Sequence, residues 1–210
     1  MRLWIILLLL LYCIPGTSAA QSVELGCKRL YISLDPLLTT DIVNNEWSSG
    51  KPRNETPARL ELAGCNGQLL DRFVLDSPLA KIDPIPVQGA FYPTYLVSAD
   101  VTAESGSYNG PLTIPIQIIN NRLVPAVAQW PDKSRRPIHL AETLKQSWRR
   151  VAHGHIDNFY AFSCWPKKSG GFKTSFMRYT PFRQGWKVKI RSEDGLWESD
   201  NTFPSKKRFP

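Results

Sequence analysis

The stretch IDNFYAFSCWPKKSGGFKTSFMRYTPFRQGWKVKIR, residues 156–191, decides the fold. It reads as three strands divided by two turns. Ile156 to Trp165 is an aromatic and apolar run, and Pro166-Lys167-Lys168-Ser169-Gly170-Gly171 ends it with turn formers. Phe172 to Thr180 is the second run, turned by Pro181-Phe182-Arg183-Gln184-Gly185. In the third, Trp186, Val188 and Ile190 alternate strictly with Lys187, Lys189 and Arg191. A period of two marks a strand with one buried and one wet face. Three such strands joined by short turns predict an antiparallel sheet and a mainly β chain.

The same signals recur upstream. Val23, Leu25 and Cys27 alternate with polar residues, then Leu30, Ile32 and Leu34 do so in the other phase. The slip near Lys28 predicts a bulge. Asn66-Gly67 divides Arg59–Leu62 from Leu69–Leu75, and that pair favours a tight hairpin because both turn positions need positive φ. Tyr95–Val101, Leu112–Ile119 and Leu123–Val127 are further strands, with Asn120-Asn121 joining the last two. Pro115 and Pro125 lie inside these runs, and a residue without an N–H belongs at a sheet edge or bulge.

One segment departs from this pattern. Leu140, Leu144, Trp148 and Val151 recur at helical spacing, with Pro137 ahead, Glu142 early, and Lys145, Arg149 and Arg150 later. This predicts one short amphipathic helix near 138–151. The expected fold is an antiparallel sandwich or open barrel-like set of sheets carrying that helix. Residues 21–210 are read as a single β-rich domain, with a possible sub-domain boundary near 128–138.

The first 20 residues read as a signal peptide. Arg2 precedes an apolar run from Leu3 to Ile14, then Pro15-Gly16 and the small residues Thr17-Ser18-Ala19-Ala20. The run is too short for a bilayer core, which needs roughly 20 apolar residues. The expectation is cleavage after Ala19 or Ala20, export to the periplasm or beyond, and no transmembrane anchor. Cys13 raises a lipoprotein alternative, disfavoured by the bulky Tyr12 before it. Asn54-Glu55-Thr56 is a glycosylation sequon, relevant only in a eukaryotic source.

Three cysteines follow the leader. Outside the cytoplasm pairing is expected, and Cys27–Cys65 is the first choice. Cys164, between Phe162 and Trp165, is expected to be an inert thiol, since an apolar setting raises its pKa. No C-x-x-C pair exists, which removes the usual structural zinc and thioredoxin-like readings.

Charge is lopsided. Residues 21–132 carry 8 Lys/Arg against 12 Asp/Glu, and residues 133–210 carry 17 against 6. The halves therefore differ by 15 charges, −4 against +11. A basic half points to anionic partners. The candidate binding residues are Lys187, Lys189 and Arg191 on one strand face, with Arg178, Arg183 and Lys173 nearby. The same alternation also arises when a sheet buries Trp186, Val188 and Ile190 and simply wets its back.

Catalytic signatures are sparse. His153 and His155, with Asp157, are weak candidates for a metal or acid–base site, being two apart on one segment. Carboxylate pairs occur at Asp100/Glu104 and at Glu193 with Asp194 or Glu198, where turns ordinarily place acids. Ser107 lacks a paired base, no G-x-S-x-G occurs, and no phosphate-binding glycine loop follows a strand. No cofactor is implied.

Tyr95-Leu96-Val97-Ser98-Ala99-Asp100, then Gly106-Ser107-Tyr108-Asn109-Gly110-Pro111, with Trp197-Glu198 and Phe203-Pro204 near the end, resembles uncharacterised exported bacterial proteins. The resemblance spans about residues 58–204. It implies an envelope or secreted location and carries over no activity and no functional residues. The expected function is a non-enzymatic module for an anionic envelope component or a partner protein. The alternatives are a hydrolase or metal-dependent enzyme at His153/His155, and an inhibitor that fills another protein's cleft. Specific nucleic-acid recognition is not expected.

Overall fold

Each run found by alternation takes a place in one of three sheets. A computed structural model describes residues 22–34, 57–100, 110–198 and 202–210. The predicted leader, the Asn54-Glu55-Thr56 sequon, and Ser107 and Glu104 lie outside this set.

The first sheet is an antiparallel meander of β1 (Ser22–Leu25), β2 (Lys28–Ser33), β3 (Arg59–Ala63) and β4 (Leu69–Val74). The phase slip near Lys28 is a hairpin, not a bulge. Gly26 at φ 67 turns the chain, and Val23 pairs with Leu30. Positive φ costs glycine nothing, so two residues suffice to reverse direction. Cys27 and Cys65 form the expected disulfide, tying this turn to the Asn66-Gly67 turn between β3 and β4. On the outer side of the sheet, Glu61 accepts hydrogen bonds from the Tyr31 hydroxyl (2.7 Å) and Arg72 Nε (2.8 Å).

The chain then builds a second sheet from β5 (Ala80–Ile82), β6 (Thr94–Asp100), β7 (Pro111–Ile119) and β8 (Arg122–Pro125). It crosses into a third with β9 (Val127–Gln129) and β10 (Arg135–Pro137), and returns once for β11 (Leu140–Ala141), which pairs with β7. Ala126 makes the crossing. It is fully buried, its N–H donates to Pro115 O (2.8 Å), and its carbonyl accepts from Ile138 N (2.9 Å). Pro125 is on the edge strand β8, as expected, whereas Pro115 lies within the inner strand β7. The Ala126 bond shows which way Pro115 faces: toward the gap between β8 and β11, where no ladder partner needs its missing N–H.

The third sheet is completed by β12 (Gln146–His153), β13 (Ile156–Pro166), β14 (Phe172–Phe182) and β15 (Gly185–Asp194). Its order is β10-β9-β15-β14-β13-β12, and only the β15–β9 pair is parallel. The expected helix at 138–151 is absent. That segment is β11, a turn, and the edge strand β12, which pairs with β13 from Gln146 to His153. Eight residues of ladder outweigh a weak helical preference, and Leu144, one of the four apolar positions, is 52% exposed.

The second sheet is the middle layer. Tyr95, Val97, Ile114 and Ile116 pack toward the first sheet with Leu30, Ile32, Leu60 and Leu62. Leu96 and Leu140 pack the other way, with Phe159, Tyr179, Trp186 and Val188 of the third sheet. Phe159 and Trp186 stack at 4.9 Å. Burial pushes the Tyr179 phenol up to about 12. A third apolar cluster lies on the outer face of the third sheet, where Phe203 and Phe209 cover Phe162 and Phe176.

Candidate functional site

Strand pairing puts the cations of the third sheet in register. Arg149, Tyr160, Arg178 and Lys189 form one cross-strand row. Val151 with Asn158, and Thr180 with Lys187, continue on one side, where the Thr180 hydroxyl donates to Asn158 Oδ1 (2.6 Å), and Ser147, Phe162, Phe176 and Arg191 form the row on the other. Arg178, Lys187, Lys189 and Arg191 therefore share the outer face. Lys173 does not join them. It is one residue out of phase on β14, in a row with Trp165 and Asp194, on the opposite face. Arg183 sits in the β14–β15 turn, beyond the last strand pair.

The outer face is divided. Residues 202–210 lie across the Phe162/Phe176 side, with Arg149 over the Phe203 ring (4.5 Å) and Arg208 over Trp197 (4.8 Å). Arg191 is committed there: it pairs with Glu193 (3.0 Å), which also takes Arg208 (2.7 Å). On the open side, Lys187, Lys189, Arg178 and Arg183 make no ion pair among the described residues.

Two grooves flank the parallel β9–β15 pair. One, of about 660 Å³, is lined by Tyr92, Gln129, Arg135, Phe182, Arg183 and Gln184 among others. The other, of about 500 Å³, is lined by Trp130, Lys133, Lys187 and Lys189, and again by Gln129. No Asp or Glu lines either groove. Phe182 is an exposed ring with the Arg183 guanidinium at 5.1 Å and Lys187 Nζ at 5.7 Å. Cations beside a ring keep a favourable electrostatic contact while their N–H groups point to solvent. The two grooves share Gln129, and as a pair, the trough, they offer positive charge, flat apolar surface and side-chain amides.

Lys133, Arg135, Gln129 and Tyr92 were not expected at this site. The signal in the sequence is the basic run Lys133 to Arg136 beside Trp130. Only the parallel pairing of Ala128 with Trp186 brings it alongside Lys187, and parallel neighbours distant in sequence leave no local pattern.

The histidine reading loses its geometric premise. Gly154-His155 is the turn between β12 and β13, with Gly154 at φ 62, so His153 and His155 do not share an extended face. Asp157 is buried and occupied by Arg150, which donates from Nε (2.9 Å) and Nη2 (2.6 Å). The same oxygen accepts from Gln88 N (2.7 Å), while Arg150 also reaches Asp83 (3.3 Å) and the carbonyls of Ile85 and Pro86. This is a clamp holding the 83–88 connection of the middle sheet to the third sheet. Among the described residues no group of three or more His, Cys, Asp or Glu is placed to hold a metal. Glu193, Asp194 and Glu198 are each taken by a cation: Arg191 and Arg208, Lys167, and Lys145.

Cys164 is buried outside the disulfide, with Thr174 Oγ1 at 3.4 Å from its sulfur. No described helix is long and apolar enough to cross a membrane. The chain matches no protein-family model, no curated protein and no solved structure.

Proposed function

We propose that this protein is an exported binding module, without catalysis of its own, that holds an anionic envelope polymer on the open side of its third sheet. One observation carries the reading: Arg183, Lys187, Lys189, Lys133 and Arg135 make no ion pair among the described residues and line two grooves that no Asp or Glu lines, with Arg178 in register beside Lys189. A set of uncompensated cations repels itself, and a polyanion relieves that repulsion while releasing its own counterions. Export is supported by the leader-like first 20 residues and by the Cys27–Cys65 disulfide, which an oxidising compartment preserves.

The test is binding to anionic polysaccharides across a salt series, with a Lys187→Glu/Lys189→Glu variant whose circular dichroism matches the native protein. Affinity that falls steeply with salt, and collapses in the variant, is expected. Absence of binding to any polyanion would return these cations to a role in solubility. A second reading, a partner protein, is favoured by the exposed Ile85, Phe91 and Ile156. It predicts a complex that survives high salt and depends on those three residues.

A further inference from the structure

We infer that the polymer is an acidic polysaccharide lying in the trough along β9 and β15, gripped by Lys133 and Arg183 in left-handed backbone conformations; this rests on the reading above. Four non-glycine residues among those described have positive φ: Asn120 (50°), Asn121 (63°), Lys133 (66°) and Arg183 (52°). The asparagines are the turn between β7 and β8, where a short polar side chain tolerates the left-handed region. Lys133 and Arg183 also sit in hairpin turns, the Lys133 N–H donating to Trp130 O (2.9 Å) and Arg183 lying between the paired Phe182 and Gly185, but they lack the short polar side chain that eases the left-handed region. Strain of this kind persists only where the surrounding fold imposes it, and it collects at functional sites. Here both strained cations line the trough, one in each groove.

The lining selects the ligand class. Tyr92 and Phe182 offer ring faces, Gln129 and Gln184 offer amides for hydroxyl groups, and Arg135 and Arg183 offer forked donors for carboxylates. A uronic-acid chain presents all three complements: an apolar sugar face, hydroxyls and a carboxylate. A flat lipid surface does not enter a groove. Strand addition to β15 is opposed by β9, which already pairs with its start, and by Lys189 and Arg191 further along, since charged side chains on an open edge discourage pairing. Nucleic acid shares the charge and the stacking, but the disulfide favours a compartment outside the cytoplasm, away from the bulk of the cell's nucleic acid.

The probe is polygalacturonate, with polyphosphate and single-stranded DNA as competitors at matched salt. The variant is Lys133→Gly/Arg183→Gly, which relieves both strained positions and removes both charges. It is expected to melt at the native temperature or above it, and to bind polygalacturonate at least about tenfold more weakly. Arg135→Gln, on the exposed strand β10, is an independent variant expected to lose several-fold in affinity at unchanged melting temperature. If Lys187→Glu/Lys189→Glu abolishes binding but the glycine pair and Arg135→Gln bind like the native protein, this inference is overturned and the broader reading stands. Equal or tighter binding of polyphosphate or DNA overturns the polysaccharide assignment. Failure to bind any of the three overturns both.

Discussion

Replacing Asp157 by alanine should destabilise the protein by about 3 kcal/mol, with no effect on polymer binding. Asp157 is 4% exposed, and its carboxylate satisfies two donors of Arg150 and the N–H of Gln88. Removing one partner of a buried ion pair costs about 3–5 kcal/mol, because the other charge stays buried and uncompensated. Arg150 would keep Asp83 and two carbonyls, and its side chain is 19% exposed, which argues for the lower end. At roughly 2–4 °C per kcal/mol for a chain of this size, the melting temperature should fall by about 6–12 °C. Urea unfolding followed by tryptophan fluorescence is the assay, since Trp148 and Trp186 pack within the same layer. A double variant, Arg150→Met/Asp157→Leu, should recover much of the loss, giving a coupling of about 1–3 kcal/mol. A loss under about 1 kcal/mol at unchanged m-value would refute the clamp. Loss of polymer binding at intact fold would instead give Asp157 a direct role.

Two other predictions address packing and titration. Gly110→Ala should cost about 2–3 kcal/mol, as overpacking does, because a Cβ there collides with the carbonyl oxygen of Glu142. The neighbouring Glu142 N–H is held to Pro111 O at 2.9 Å, so the backbone has little freedom to retreat, and denaturant melts of the variant will read the cost. Tyr179→Phe should be near neutral at pH 7 but resist alkali better than the native protein. The folded phenol titrates near 12 against 10 when unfolded, so its neutral form supports folding below pH 10 and that support drains away between 10 and 12. Two pH units correspond to about 2–3 kcal/mol. Parallel stability curves for the two proteins from pH 8 to 11.5 would sink this assignment.

The strands of the third sheet were legible because burial on one face writes a period of two into the sequence. Trp186, Val188 and Ile190 point inward and Lys187, Lys189 and Arg191 outward as that period requires. The disulfide was legible from the expected compartment and from both cysteines lying in the N-terminal half. The segment 138–151 was misread because Leu140, Leu144 and Trp148, four apart, fit a helix as well as an interrupted strand. A long-range ladder with β13 decided it. The phase slip at Lys28 was seen and wrongly explained, since a bulge and a two-residue turn both shift the phase. Lys173 was grouped with the other cations by nearness in sequence, but it lies an odd number of residues from Phe176 and Arg178 on β14 and so faces the other way. The trough itself was illegible. It exists only because β9 lies parallel to β15 nearly sixty residues later, which no local pattern records.

The single-residue crossing at Ala126 has a mechanical consequence. A load applied along β9 does not stop at the edge of the third sheet. It passes through one buried residue into β8, whose bonds to β7 run across the strands. Tension along a strand therefore acts on several of these bonds together, as shear, where tension across it would open them singly. A ligand dragged along the trough would be resisted by the middle layer of the molecule, while one lifted straight off its face would meet only its own contacts.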